Sequence, residues 1–252
     1  MTYCLAISVE NGAIFASDSR TNAGVDYVTT YSKMHVFEPT EDRLFVLLSA
    51  GNLATTQEVL NRIEVDLNRA DASVNLRTVN YLFEAAEYIG RISIQVQESY
   101  MNALARSNIS GESSFIIGGQ IQGQPHGIYM IYPQGNYISA SPETPYLQIG
   151  ETKYGKPILD RVIKNDTTLE DAARCALVSL DSTIRSNVTV GPPLELAIYH
   201  KDTLDLSHYM SLNQDDEMLT SIRETWDLGL KNAFLKLPRF DWEQVIDKDR
   251  MP

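Results

Sequence analysis

The sequence predicts an α+β chain folded as a four-layer α-β-β-α sandwich, followed by a C-terminal helical extension. Two observations carry this expectation. Hairpin signals and amphipathic helical stretches alternate in the order hairpins, helix pair, hairpins, helix pair, hairpin, helix. No linker rich in Pro, Gly or Ser divides them. Hairpins build antiparallel sheets whose apolar faces need cover, and two sheets stacked face to face with helix pairs outside supply it. Residues 1–212 are expected to form the sandwich and 213–252 the extension.

The elements follow in order. TYCLAISV and AIFASD flank Glu10-Asn11-Gly12, and Asn-Gly is a strong hairpin turn signal. KMHVFE and RLFVLLSAG flank Pro39-Thr40-Glu41-Asp42, which is also turn chemistry. The first fifty residues thus read as four strands in two hairpins. The period then changes. Leu60, Ile63 and Leu67 recur at helical spacing between Leu53 and about Arg69. Leu82, Phe83, Ala86, Ile89, Val96, Tyr100 and Leu104 do so between Thr78 and Arg106, after a polar break at Arg69–Ser73. SFIIGGQI, GIYMIYP, NYISASP and YLQIG return to strand, punctuated by Gly123, Pro125 and Gly135. Helices are expected over Lys153–Asn165 and Thr168–Ser186, the second opened by a capping box of Thr168 with Asp171. LELAIYHK and LDLSHYM form a hairpin around Asp202-Thr203, and a last helix runs from Asp215 to about Leu235.

Composition narrows the function. A formal charge of −12 and the lack of any basic run set nucleic acid aside. No apolar run approaches a membrane span, and no charged leader with a cleavage site is seen, so a cytoplasmic location is expected. Cys4 and Cys175 lie far apart in apolar surroundings and read as small core residues. His35, His126, His200 and His208 lack metal-ligand spacing, so neither a zinc site nor a triad histidine is expected.

Chemistry-bearing residues stand where strands end. Asp18-Ser19-Arg20 closes the second strand, Lys33 opens the third, and Gly51 ends the fourth. Thr2 follows Met1 at the mouth of the first strand. With Met1 removed, threonine would carry a hydroxyl nucleophile and an α-amine base in one residue, so no histidine is needed. Removal of Met1 requires a small second residue, which threonine is. A lysine nearby lowers the pKa of both hydroxyl and amine, and a carboxylate holds that lysine in place. A glycine N–H beside a bound carbonyl can serve its oxyanion. Each residue also has a plainer use. Thr2 can simply start an edge strand, Asp18 and Arg20 can form a surface ion pair, Lys33 can guard a sheet edge, and Gly51 can make a turn.

The joint pattern T-(x15)-D-S-R, then a lysine at the next strand, then S-A-G at a strand-to-helix junction, resembles the proteasome β-subunit family, which includes bacterial HslV. SDSRTNAGVD and RSNVTVGPPLELAIY are similar, more narrowly, to Anbu, the bacterial ancestral β-subunit branch. The resemblance covers most of the chain. It implies the N-terminal-nucleophile hydrolase fold and a threonine-type peptidase acting on peptides or unfolded protein inside a self-compartmentalised homo-oligomer, ring or helical stack, without a cofactor. By it, Thr2 matches the nucleophile, Asp18 and Lys33 the activating pair, Arg20 a structural arginine, and Gly51 the oxyanion-hole glycine. The family's supporting serine is replaced in the turn Ile149–Lys153, where Glu151 or Thr152 stands. Asp181 and Ser186 in LDSTIRSN are the loose counterparts of a later supporting pair, and equally suit the end of a helix. The tail, with Trp226, Phe234, Leu235, Leu237, Phe240 and Trp242, departs from the shorter chains of the family and implies docking. A small-amide hydrolase of the same fold and a catalytically silent shell subunit are the rival readings. No unfoldase partner is indicated.

Overall fold

The computed structural model describes residues 2–22, 28–69 and 73–243. Met1, part of the SDSRTNAGVD stretch and the last nine residues lie outside the described residues. The chain divides between Gln214 and Asp215 into two compact units.

The first unit contains two five-stranded antiparallel sheets. One runs in the order β10-β1-β2-β11-β12: β1 is Tyr3–Val9, β2 Gly12–Asp18, β10 Tyr146–Gly150, β11 Leu194–His200 and β12 Leu206–Leu212. The other runs β5-β6-β7-β8-β9: β5 is Met34–Thr40, β6 Arg43–Gly51, β7 Ser113–Ile121, β8 Gly127–Ile131 and β9 Tyr137–Ser139. Helices α1 (Leu53–Asn68) and α2 (Leu82–Arg106) pack on the second sheet. Helices α3 (Lys156–Val162) and α4 (Leu169–Ser186) pack on each other, and α4 on the first sheet.

Strand β6 shows why the layers hold. Strand side chains alternate between faces. Leu44, Val46 and Leu48 enter the core between the sheets with Cys4, Ala6, Phe15 and Ala197. Phe45 and Leu47 point the other way, into a core with Val59, Ile63, Ala86 and Ile89 of the helices. A strand buried on both faces reads as an unbroken apolar run, and RLFVLLSAG is one.

The expected order of elements is observed, with local differences. A polar ribbon, β3 (Arg20–Asn22) with β4 (Val28–Thr30), was not expected. Helix α2 starts at Leu82 because Asn75 first makes a turn, accepting from Arg77 N–H at 2.8 Å through Oδ1. Helix α3 is short: it starts after Gly155, with Pro157 in its first turn, and ends at Val162, capped by Ile163. Thr168 caps α4 by accepting from the Asp171 N–H at 3.2 Å.

In the second unit, α5 spans Glu217–Leu235. Its cap is Asp216, whose Oδ1 accepts from Met218 N–H at 2.9 Å. Leu228, Leu230, Phe234, Leu235, Leu237 and Phe240 of this unit are exposed. No helix among the described residues is long and apolar enough to cross a membrane.

Candidate active site

Thr2, Lys33 and Gly51 open onto one cleft of about 1350 Å³. Sheet geometry brings them there. Thr2 precedes β1, Lys33 precedes β5, and Gly51 ends β6. Thr2 is fixed through its backbone: its carbonyl accepts from the Glu151 N–H at 2.7 Å. The fit is close. Gly150 has φ +84°, and a Cβ there would stand 2.0 Å from the Thr2 carbonyl oxygen. Gly150→Ala is therefore expected to cost about 1–2 kcal/mol from the left-handed backbone alone, with more from the clash. A fall in thermal midpoint, together with displaced Thr2 signals by NMR or crystallography, checks this.

Asp18 is the polar centre behind the cleft. It is fully buried and Lys33 nearly so. Lys33 Nζ donates to Asp18 Oδ1 at 2.6 Å and to the Arg20 carbonyl at 2.7 Å. The Tyr3 N–H donates to Asp18 Oδ1 at 3.0 Å, and the Gly191 N–H to Oδ2 at 3.1 Å. One carboxylate thus ties the residue after Thr2 to the lysine and to the 188–191 loop. Burial pushes the Asp18 carboxyl above its ordinary value, while Lys33 and the two N–H groups pull it back.

Arg20 closes the same corner. Its Nη1 donates to the Val188 carbonyl at 2.7 Å, and its N–H to the Gly191 carbonyl at 3.3 Å. Gly51 has φ +117°, and a Cβ there would lie 2.3 Å from the Glu112 carbonyl oxygen. Glycine is thus required where β6 meets β7, whatever else it does. Among the cleft's other side chains, Glu64 is acidic and His35 is pushed below its ordinary value by burial, against the pull of Glu195 and Glu64.

The remaining candidates separate. Glu151 is buried; its Oε2 accepts from Asn187 Nδ2 at 2.9 Å and its Oε1 lies 3.5 Å from Lys153 Nζ. The Thr152 carbonyl accepts from Gln148 Nε2 at 3.3 Å. Asp181 is buried on α4 and accepts from Arg185 Nε at 3.0 Å, whereas Ser186 ends α4 exposed. Neither Asp181 nor Ser186 lines the cleft. Asn187, which sequence reasoning missed, is the residue after α4 that reaches Glu151 and also accepts from the Thr189 N–H at 3.0 Å. An Asn-x-Thr after a helix is a turn signal that could have drawn notice. Among the described residues no group of three or more His, Cys, Asp or Glu is placed to hold a metal ion.

A family model for the proteasome subunit matches residues 2–199. The chain belongs to the proteasome family. It is similar to Anbu from Pseudomonas aeruginosa, solved as a helical assembly: 46% identity, 94% of this chain and 98% of that one, TM-score 0.88. It is similar also to Anbu, the ancestral β-subunit, from Yersinia bercovieri: 41% identity, 95% and 99% coverage, TM-score 0.87. A proteasome subunit beta 1 from Pyrobaculum aerophilum is 25% identical over 202 residues, 79% of this chain and 89% of that protein. The four-layer sandwich of this proteasome-family chain is thus the N-terminal-nucleophile hydrolase fold.

Proposed function

We propose that this proteasome-family chain is a threonine-type peptidase whose nucleophile is Thr2, exposed by removal of Met1. The observation that carries the reading is the buried Lys33–Asp18 pair, with Lys33 on the same cleft as Thr2. An isolated buried ion pair is a weak stabiliser, so retaining one beside a hydroxyl invites a chemical use.

In this reading the Thr2 Oγ attacks the substrate carbonyl and passes its proton to the Thr2 α-amine, directly or through water. The α-amine has an ordinary pKa of roughly 7.7–8.0, so part of it is free base near pH 7. The Lys33 ammonium favours the alkoxide. The Gly51 N–H receives the oxyanion. The tetrahedral intermediate then expels the leaving amine, which takes the proton, and an ester to Thr2 remains. Water hydrolyses that ester and restores the hydroxyl.

A large open cleft suits an extended peptide better than a small amide, which wants a closed polar pocket. Turnover of a peptide library against a panel of small amides tests this. Cleavage of peptides is expected; hydrolysis of small amides alone would overturn the peptidase reading. The helical assembly of the Pseudomonas aeruginosa relative and the exposed apolar residues of the second unit support a homo-oligomer, with that unit docking on another copy.

The pH dependence follows from the Thr2 α-amine and from Asp18. Activity needs the carboxylate ionised to hold Lys33. The acid limb of kcat/KM is expected first where the Thr2 α-amine, ordinarily at roughly 7.7–8.0, takes up a proton, with a further fall at lower pH as Asp18, raised above its ordinary value by burial, is protonated. For stability the sign is opposite in sense. A carboxyl raised in the fold contributes stability that is full below its unfolded pKa and is lost as pH rises through the folded one. A pH–rate profile and denaturation curves across the same range check both.

A further inference from the structure

A second buried carboxylate lies beside the pair, and no role in the proposed chemistry uses it. Glu195 sits on β11, in register with Ser17 of β2. It is 8% exposed. Its partners among the described residues are three hydroxyls. Ser17 Oγ donates to Oε2 at 3.3 Å. Ser32 Oγ stands 2.9 Å from both carboxylate oxygens. Tyr209 OH donates to Oε1 at 2.6 Å. Burial and the neighbouring carboxylate push the Tyr209 phenol up, which keeps it a donor.

The placement has a consequence. Ser17 precedes Asp18 and Ser32 precedes Lys33. One carboxylate therefore grips the residue before each member of the ion pair, from a strand that is neither's own. Ser32 lies just before β5 and is exposed, and its Oγ also stands 2.8 Å from the Met34 carbonyl. It also accepts from the Met34 N–H at 3.3 Å, which shapes the backbone around Lys33. A buried carboxylate costs free energy unless its hydrogen bonds are filled, and here all its partners belong to this corner.

We infer that Glu195 is a positioning residue: through Ser32 and Ser17 it braces Lys33 against Asp18 on the cleft. This rests on the reading of Lys33 as an activating residue.

The test uses the native assembled protein. Wild type, Ser32→Ala, Glu195→Gln and Glu195→Ala are dimethylated with formaldehyde and cyanoborohydride, and each lysine is quantified by peptide mass spectrometry. The exposed Lys201 is the internal reference. Local opening around Lys33 is expected to raise its labelling about tenfold in Ser32→Ala and Glu195→Ala, and less in Glu195→Gln, which keeps one acceptor oxygen. The Ser32→Ala/Glu195→Ala double variant is expected to match Glu195→Ala, since both substitutions break one link. In unlabelled samples of the same proteins, adduct formation at Thr2 with a peptide epoxyketone should slow as Lys33 labelling rises. Unchanged Lys33 labelling in both Ala variants overturns the inference, as does a uniform rise at all lysines. If unlabelled wild type forms no epoxyketone adduct while Lys33 labelling rises as expected in the variants, the brace stands and the peptidase reading falls. Ser32→Ala, at an exposed position, keeps the test open should Glu195→Ala not fold.

Discussion

Replacing Thr2 with Ala is expected to slow acylation by an electrophilic peptide by at least about a thousandfold, with assembly and thermal midpoint unchanged. The separation is possible because Thr2 is held through its backbone. Its carbonyl accepts from the Glu151 N–H at 2.7 Å, and alanine keeps that bond. Alanine is also small enough for Met1 to be removed, so lost activity cannot come from blocked processing. Thr2→Ser keeps the hydroxyl and should retain part of the rate. Reaction-rate traces, with size-exclusion profiles of the same samples, decide. Full activity in Thr2→Ala would remove the nucleophile from the account. Failed assembly would favour a structural role for the N-terminus.

The second large effect concerns the buried pair. Lys33→Met leaves the Asp18 carboxylate with the Tyr3 and Gly191 N–H groups but no counter-charge. Breaking a buried pair from one side costs about 3–5 kcal/mol. That loss should shrink on acidification, as Asp18 takes up a proton. Asp18→Asn with Lys33→Met removes both charges and keeps an acceptor for the Tyr3 N–H. Stability is expected to recover to within about 1–2 kcal/mol of wild type, since neutral replacements of buried pairs are often tolerated. Activity should not recover, and both variants should fall at least about a hundredfold below wild type. Urea denaturation and acylation rates on the same three proteins measure the two effects separately. Activity restored with stability in the double variant would mean that the pair serves the fold alone.

The fold was largely legible because period and turn chemistry were clear. Asn11-Gly12 marked the first hairpin, and Gly12 adopts φ +146° there. The ribbon β3–β4 was not legible: RTN and VTT are too short and polar to show a period. The cleft residues Thr2, Lys33 and Gly51 could be found because strand ends gather at one edge of a sandwich. The contacts that hold them could not. The Gly191 N–H meets Asp18 across 173 residues of sequence, and Ser17 meets Glu195 across 178. Such pairs leave no periodic mark. Glu195 reads as one polar residue in LELAIYH, like any exposed strand position, until the register of β11 beside β2 turns it toward Ser17. Asp181 and Ser186 came from the resemblance as loose counterparts of a supporting pair; Asn187, just beyond them, reaches Glu151, a contact across 36 residues that no local pattern marks.

The central claim is a free, nucleophilic Thr2. The most direct measurement is the intact mass of the purified protein before and after incubation with a peptide epoxyketone, followed by mapping of the adduct. The expected result is a mass lacking one methionine and a single adduct joining both the amine and the Oγ of Thr2. A chain that keeps Met1, or one that loses it and takes up no adduct at Thr2, would contradict the account.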